Sequence, residues 1–202
     1  MSTRKSSEDR KMQILTTTLD LAFEVGPDHV TTGMIAKRLG LTQPAVYKHY
    51  PKKEDIWWAA TQTLCAQIRE NTLEGQQSER SPVDNLRHLI LGHLQLVTQT
   101  PALPEIMVTR DPTGILTQAR RAIQSEVVAF RAALIRSFEV AQTQGHLGGT
   151  LRAEDGVMLL FGIIQSLVLR LILTRDATHL VQDGARLLDL QLCLFADKGI
   201  TT

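Results

Sequence analysis

The segment TTGMIAKRLGLTQPAVYKHYPKKEDI, residues 31–56, decides the fold of this 202-residue chain. Its pattern predicts two short helices joined by a turn at Gly40, with Thr31 and Thr42 as their N-caps. Between Lys37 and Lys53 the segment carries five basic residues and no acidic one. A helix pair that offers cations and a polar helix face to solvent is typical of proteins that bind DNA.

The second helix of this pair has one exposed and one buried side. Gln43 and Tyr47 are four residues apart, as are Pro44 and Lys48, so the two pairs form one adjacent strip. The side chains predicted to hold the helix pair together from the other side are Ile35, Leu39, Leu41, Val46 and Tyr50. The exposed strip suits a major groove, because Gln43 can pair with adenine and Pro44 or Ala45 can touch a thymine methyl group.

Other residues of the segment are candidates for phosphate contacts, which fix register without reading sequence. A hydroxyl, imidazole or ammonium group is available at Tyr47, Lys48, His49, Lys52 and Lys53. The starts of the two helices, at Thr31-Thr32 and Thr42-Gln43, add backbone N–H donors. The alternative interpretation is a helical hairpin whose basic face is only solvated, since clusters of Lys and Arg often have no partner.

Composition is that of an ordinary globular protein, with 43% hydrophobic and 21% charged residues. The net charge is only +1, but residues 1–56 carry +2 and residues 57–202 carry −1, so the basic excess lies with the helix pair. The two cysteines, Cys65 and Cys193, are far apart and predict reduced thiols. We expect no signal peptide, no apolar run near the ~18 residues of a membrane span, and a cytoplasmic protein.

Helical periodicity extends along almost the whole chain, which predicts an all-α protein: a three-helix N-terminal helix-turn-helix domain and a larger C-terminal helical bundle of about six helices. The first three helices are predicted from about Ser7 to Val25, from Thr32 to Leu39, and from the Thr42 cap to near Tyr50. The others are predicted at Lys53 to about Glu74, Pro82 to Thr100, a short helix before Arg110, Ile115 to Gln144, Ala153 to Thr174 and Asp183 to Ala196.

The segment resembles the DNA-binding domain of the tetracycline-repressor (TetR) family of bacterial regulators. The resemblance covers roughly residues 8–68, and its matching residues are Thr31-Thr32, Ile35-Ala36, Leu39-Gly40-Leu41, Tyr47, His49, Tyr50, Lys53, Glu54 and Ile56. The chain departs from the family pattern at Tyr50, where Phe is usual, and at Pro44, where a small residue is frequent. It also departs at Gly33 and Met34, where many members carry polar or charged residues.

The resemblance implies that residues 1–56 form the DNA-binding domain and residues 57–202 a domain for ligand binding and dimerisation. Two subunits would pair through their last two long helices. The apolar character of residues 157–172 supports this pairing, although a core helix of a monomer would show it too. The residues expected at the dimer interface are Leu160, Ile164, Leu167, Leu171, Leu187 and Leu194.

The effector pocket of such regulators lies among the fourth to seventh helices. The resulting candidates in this chain are Trp58, His88, His93, Met107, Arg110 and Phe130. We predict no metal site, because His88 and His93 are five residues apart and do not share a helix face. We also predict no cofactor.

The expected function is that of a ligand-responsive transcriptional regulator, which binds a palindromic operator in double-stranded DNA as a homodimer. Of the two directions of regulation, we expect repression. The alternative is a constitutive or architectural DNA-binding protein of the same fold without a small-molecule effector. We predict no enzymatic activity, because the chain has no GxSxG, HExxH or phosphate-loop motif in the required context.

Overall fold

The computed structural model describes residues 6–76 and 79–196 of the chain. Within those residues the structure consists of helices joined by turns and loops. The helices are α1 (Ser7–Val25), α2 (Thr32–Leu39), α3 (Gln43–Tyr47), α4 (Lys53–Glu74), α5 (Pro82–Gln99), α6 (Ala102–Val108), α7 (Thr117–Thr143), α8 (Ala153–Thr174) and α9 (Leu180–Ala196). The predicted all-α fold is confirmed, and α1, α2, α4 and α8 have the predicted bounds.

Local chemistry explains where the first helix begins and ends. Ser6 and Asp9 form a reciprocal capping box, in which each side chain accepts a hydrogen bond from the other's backbone N–H. At the other end, Gly26 has φ +92°, which an L side chain rarely adopts. These two signals stand in the sequence, and they account for the match between predicted and observed bounds.

Four helices, α3, α5, α7 and α9, differ from the prediction at their ends. α5 ends one residue earlier than predicted, at Gln99, and α7 spans Thr117–Thr143 rather than Ile115 to Gln144. α3 stops at Tyr47, because the backbone then tightens and His49 N donates to Val46 O at 3.0 Å. The carboxylate of Asp111 accepts a hydrogen bond from Leu116 N at 2.9 Å and organises the turn before α7. α9 begins three residues earlier than Asp183, at Leu180.

Contacts divide the described chain into two compact units. The first contains the chain up to Cys65 together with Thr100–Gln124, and the second contains Ala66–Gln99 and the chain from Ser125 onward. The helices α4 and α7 therefore contribute to both units. The domain boundary at residues 56 and 57 remains a prediction.

The first unit packs α2 and α6 against α1, and α3 against α2. Its core includes Ile14, Ala22, Ile35, Val46 and Ile56, each of which is fully buried. The apolar sides of three short helices thereby cover one another, so that the polar side of α3 remains exposed.

In the second unit, α5, α8 and α9 pack against one another around Leu86, Ile90, Leu94, Leu160 and Leu188. Arg87 of α5 pairs with Asp189 of α9, and Arg170 of α8 pairs with Asp183 of α9 at 2.7 Å. These ion pairs are partly exposed and add little stability, so burial of the leucine and isoleucine side chains dominates.

The α8 helix corrects the expectation that no apolar run approaches the ~18 residues of a membrane span. Its 22 residues have a mean hydropathy of 2.2 over the most apolar window, so by length and composition it could cross a membrane. The core helix of a soluble protein passes the same test, and one such helix is weak support for a membrane span. Only a third of that window is buried in the subunit, which leaves an apolar face exposed.

Candidate nucleic-acid interface

The turn between α2 and α3 has the geometry predicted for a helix-turn-helix pair. Thr31 Oγ1 accepts a hydrogen bond from Met34 N at 3.2 Å and caps α2. Gly40 ends that helix in the left-handed conformation, with φ +64°, and Leu41 N donates to Ala36 O at 2.8 Å. The chain thereby reverses direction in a few residues, and α3 starts beside α2.

The short α3 helix buries one side and exposes the other. Val46 is fully buried and Tyr50 nearly so, while Thr42, Gln43, Pro44, Tyr47 and Lys48 are exposed. Ala45 is half-buried between them. The predicted base-reading strip is thus accessible along its whole length, as insertion into a groove requires.

Tyr47 and Thr32 are joined by a hydrogen bond. Their hydroxyl oxygens lie 3.1 Å apart, and Thr32 is buried with 7% exposure. Thr32 is predicted to contact DNA through the backbone N–H groups at the start of α2, and its hydroxyl group holds the phenol of Tyr47 in place. The exposed phenol stays beside the start of α2, where its second hydrogen-bonding position can face a phosphate.

One basic residue of the segment, Arg38, is ion-paired within the protein. Its guanidinium forms a bidentate salt bridge with Glu24 of α1: Nη1 donates to Oε1 at 2.9 Å and Nη2 donates to Oε2 at 2.6 Å. The hydrogen bond from Arg38 lowers the pKa of Glu24, so the pair stays ionised at neutral pH. Sequence reasoning missed this pair, because the two residues are 14 positions apart and lie on different helices.

The basic residues that follow α3 lie at or near the surface. Lys48 and Lys52 are exposed, while His49 and Lys53 are half-buried. The N–H of Lys52 donates to Asp55 Oδ2 at 3.0 Å, which fixes the start of α4 and with it the position of Lys53. This arrangement offers several cations within one short stretch of backbone, as a phosphate-binding surface requires.

The predicted effector-pocket residues fall into both units. Trp58, Met107 and Arg110 belong to the first unit, and all three are exposed. In the second unit, His93 and Phe130 are buried together, with their ring centroids 5.1 Å apart. His88 lies five residues before His93 on α5, and its Nε2 is 3.3 Å from Glu74 Oε2.

The environment of His93 is apolar. Phe130 also lies 6.2 Å from the ring of Phe161, so an imidazole and two phenyl rings form a row inside the second unit. Burial lowers the pKa of His93 to about 4, and its Nδ1 has no hydrogen-bond partner. The side chain is therefore neutral at pH 7.

The structure corrects the expected dimer residues. Leu160, Ile164, Leu167 and Leu171 are buried inside their own subunit, because they face the helices of the second unit. Leu187 is half-buried, and Leu194 is exposed. The exposed apolar face of the last two helices, here called the leucine face, consists of Met158, Leu159, Leu169, Leu173, Leu190 and Leu194.

Comparisons with known proteins agree with the geometry of α1–α3. A family model described as bacterial regulatory proteins of the tetR family matches residues 14–60. The HTH-type transcriptional regulator TtgR of Pseudomonas putida is 24% identical over 193 residues, which cover 93% of this chain and 91% of TtgR. The class A tetracycline repressor protein from transposon 1721 of Escherichia coli is 39% identical over 86 residues, which cover 43% of this chain and 37% of that protein.

The fold is also shared with solved structures. The transcriptional regulator FadR of Bacillus subtilis, solved in complex with stearoyl-CoA, superposes with a TM-score of 0.68 at 19% identity, over 90% of this chain and 97% of FadR. The matched residues 14–60 contain most of α1, both helices of the turn and the start of α4. Residues 14–60 thus match the tetR family of bacterial regulatory proteins, and the comparisons together support a DNA-binding transcriptional regulator of this family.

Proposed function

We propose that this regulator is a homodimeric repressor which binds a palindromic operator and releases it when a small molecule binds to the larger domain. The observation that carries this proposal is the exposed strip of Gln43, Pro44, Tyr47 and Lys48, which lies above the buried Val46. In this arrangement α3 enters the major groove. Gln43, Pro44 and Ala45 face base edges, while Tyr47, Lys48, His49, Lys52 and Lys53 face phosphates.

The leucine face supports the homodimer. Leu169 and Leu173 are four residues apart on α8, and Leu190 and Leu194 are four apart on α9, so each helix presents one apolar stripe. The two helices pack against each other in the second unit, and each keeps its stripe exposed. A second copy covers such a face by two-fold symmetry, and the resulting pair of α3 helices matches a palindromic site.

An effector is supported by the relatives and by the interior of the second unit. FadR of B. subtilis was solved with stearoyl-CoA, and TtgR is a regulator that matches almost the whole chain. These relatives favour a ligand-responsive regulator over a constitutive DNA-binding protein. In this chain the partnerless Nδ1 of His93 is a buried polar group that a ligand atom would satisfy.

Release of DNA then requires two states of the protein with different affinities for the ligand. α4 begins at Lys53, beside the proposed phosphate contacts, and continues into the second unit, so it is the proposed lever between ligand and DNA. We further propose that the protein is cytoplasmic and has no catalytic role, as its relatives are regulators.

The DNA-binding assignment is tested by selecting duplexes from a randomised library with the purified protein and measuring binding to the selected sequence. Gln43→Ala should cost about 1–3 kcal/mol of binding free energy and relax preference at one base pair. Lys53→Ala should weaken binding to all sequences alike and reduce the slope of affinity against salt by about 1. If Gln43→Ala kept both affinity and preference, the assignment of α3 as the base-reading helix would be wrong.

A further inference from the structure

We propose that Gly33 is a positioning residue that determines how Gln43 reads DNA. The inference rests on the proposed base-reading role of Gln43. Gly33 lies in the first turn of α2, and Gln43 is the first residue of α3, so the starts of the two helices are adjacent. The missing side chain of one residue makes room for the side chain of the other.

The distances show this directly. A Cβ atom built on Gly33 would lie 2.7 Å from Gln43 Nε2 and 3.7 Å from Gln43 Cδ. The first distance is shorter than Cβ atoms tolerate, so a side chain at position 33 and the present Gln43 rotamer exclude each other. The amide of Gln43 therefore occupies the space that a side chain at position 33 would take.

The backbone gives no separate reason for glycine at this position. Gly33 is helical, and its φ lies outside the left-handed region that glycine favours. In a helix, glycine is less favourable than alanine. After the Gln43 amide, the next nearest side-chain atom to such a Cβ is Thr31 Oγ1, at 3.8 Å, which is an ordinary contact. The consequence of a side chain here therefore falls on Gln43.

A side chain at position 33 would displace the amide without disturbing the fold. The clash involves the far end of a flexible side chain, which can rotate away at little cost. The hydrogen bond between Tyr47 and Thr32 keeps α3 on α2, so the backbone is held while the amide moves. Paired hydrogen bonds from a glutamine to a base require the amide at one position, so its displacement changes preference at that base pair.

The test compares the base preference of three variants of the 202-residue chain with that of the wild type. Wild type, Gly33→Ala, Gln43→Ala and the double variant are each challenged with a randomised duplex library and then with every single-base variant of the selected duplex. Gly149→Ala is the matched control, because a Cβ there meets nothing within 4 Å and the residue lies in the loop between α7 and α8. Melting temperature is measured for each protein.

We expect Gly33→Ala to lose about tenfold in preference at the base pair where Gln43→Ala acts, with an unchanged or raised melting temperature. The double variant should match Gln43→Ala, since the two changes remove the same contact. Gly149→Ala should behave as wild type. If Gly33→Ala kept the wild-type preference while Gln43→Ala lost it, the inference would be overturned and the proposed function would stand.

Two other outcomes also overturn the inference. A Gly33→Ala variant that melts lower and weakens binding to all duplexes equally would show an effect on the fold rather than on Gln43. A wild-type protein that selects no sequence, or a Gln43→Ala variant with unchanged preference, would remove the proposed base-reading role and the inference together.

Discussion

At the scale of a residue, the hydroxyl group of Tyr47 contributes both to stability, through its hydrogen bond to Thr32, and to the proposed phosphate contact. Tyr47→Phe removes the hydrogen bond to buried Thr32, so we expect the free energy of unfolding to fall by about 0.5–1.5 kcal/mol in urea denaturation. Affinity should fall for all duplexes alike, because a phosphate contact carries no sequence preference. Tyr50→Phe is the control, since its ring packs in the core of the same segment and Phe fills that space. Equal stability of Tyr47→Phe and wild type would show that the bond contributes nothing.

His93 gives a second prediction at this scale, on pH. Its pKa of about 4 in the folded protein lies below the usual value of 6.5, so between these values the unfolded chain binds the additional proton. Stability should therefore fall as the pH drops from 6.5 toward 4, by about 2 kcal/mol at pH 5. His93→Leu should lose less stability over this interval, and the difference between the two unfolding curves isolates His93 from the carboxylates. Parallel curves would contradict the assignment.

At the scale of an element, the turn between α2 and α3 depends on one glycine. Gly40 has φ +64°, and a Cβ there would meet nothing within 4 Å, so the cost of a side chain is one of backbone conformation alone. We expect Gly40→Ala to lower the free energy of unfolding by about 1–2 kcal/mol. Gly40→Asn should cost less, because asparagine adopts the left-handed region more readily. Thermal unfolding of both variants checks the order, and an equal loss would point to a steric effect instead.

The sequence predicted the helices well wherever a cap or a glycine marks the end. Ser6, Gly26, Thr31 and Gly40 are such signals, and α1 and α2 have the predicted bounds. The end of α3 could not be predicted in the same way, because it follows from local hydrogen bonds such as His49 N to Val46 O rather than from a residue type. The local sequence pattern therefore predicts that a helix is present more reliably than it predicts where an uncapped helix ends.

The candidate site was predictable in part for a related reason. Periodicity indicated which side of α3 is exposed, since a short helix on a small core has only one buried side. It could not indicate the contacts between helices, such as Arg38 with Glu24 or Gly33 with Gln43. Nor could it divide α8, which is apolar nearly all round, into a buried and an exposed side. That division follows from the packing of α5 and α9.

At the scale of the whole molecule, the leucine face is the feature that a lone subunit does not explain. Leu169, Leu173 and Leu194 are 56%, 75% and 60% exposed, although their helices belong to the core of the second unit. Large exposed apolar patches mark protein–protein contacts. We therefore propose that the same two helices hold a subunit together and offer a surface to a second copy.

Light scattering at micromolar concentration tests this surface. The wild-type protein should have twice the 22.5 kDa mass of the subunit. Leu169→Arg should shift the dimer dissociation constant by about two orders of magnitude, because each leucine would be buried twice in a two-fold interface and a charge replaces it. Val128→Arg, an equally exposed position on α7 outside the leucine face, should leave the dimer intact. A wild-type protein of 22.5 kDa, or dissociation by Val128→Arg and not by Leu169→Arg, would refute the leucine face as the interface.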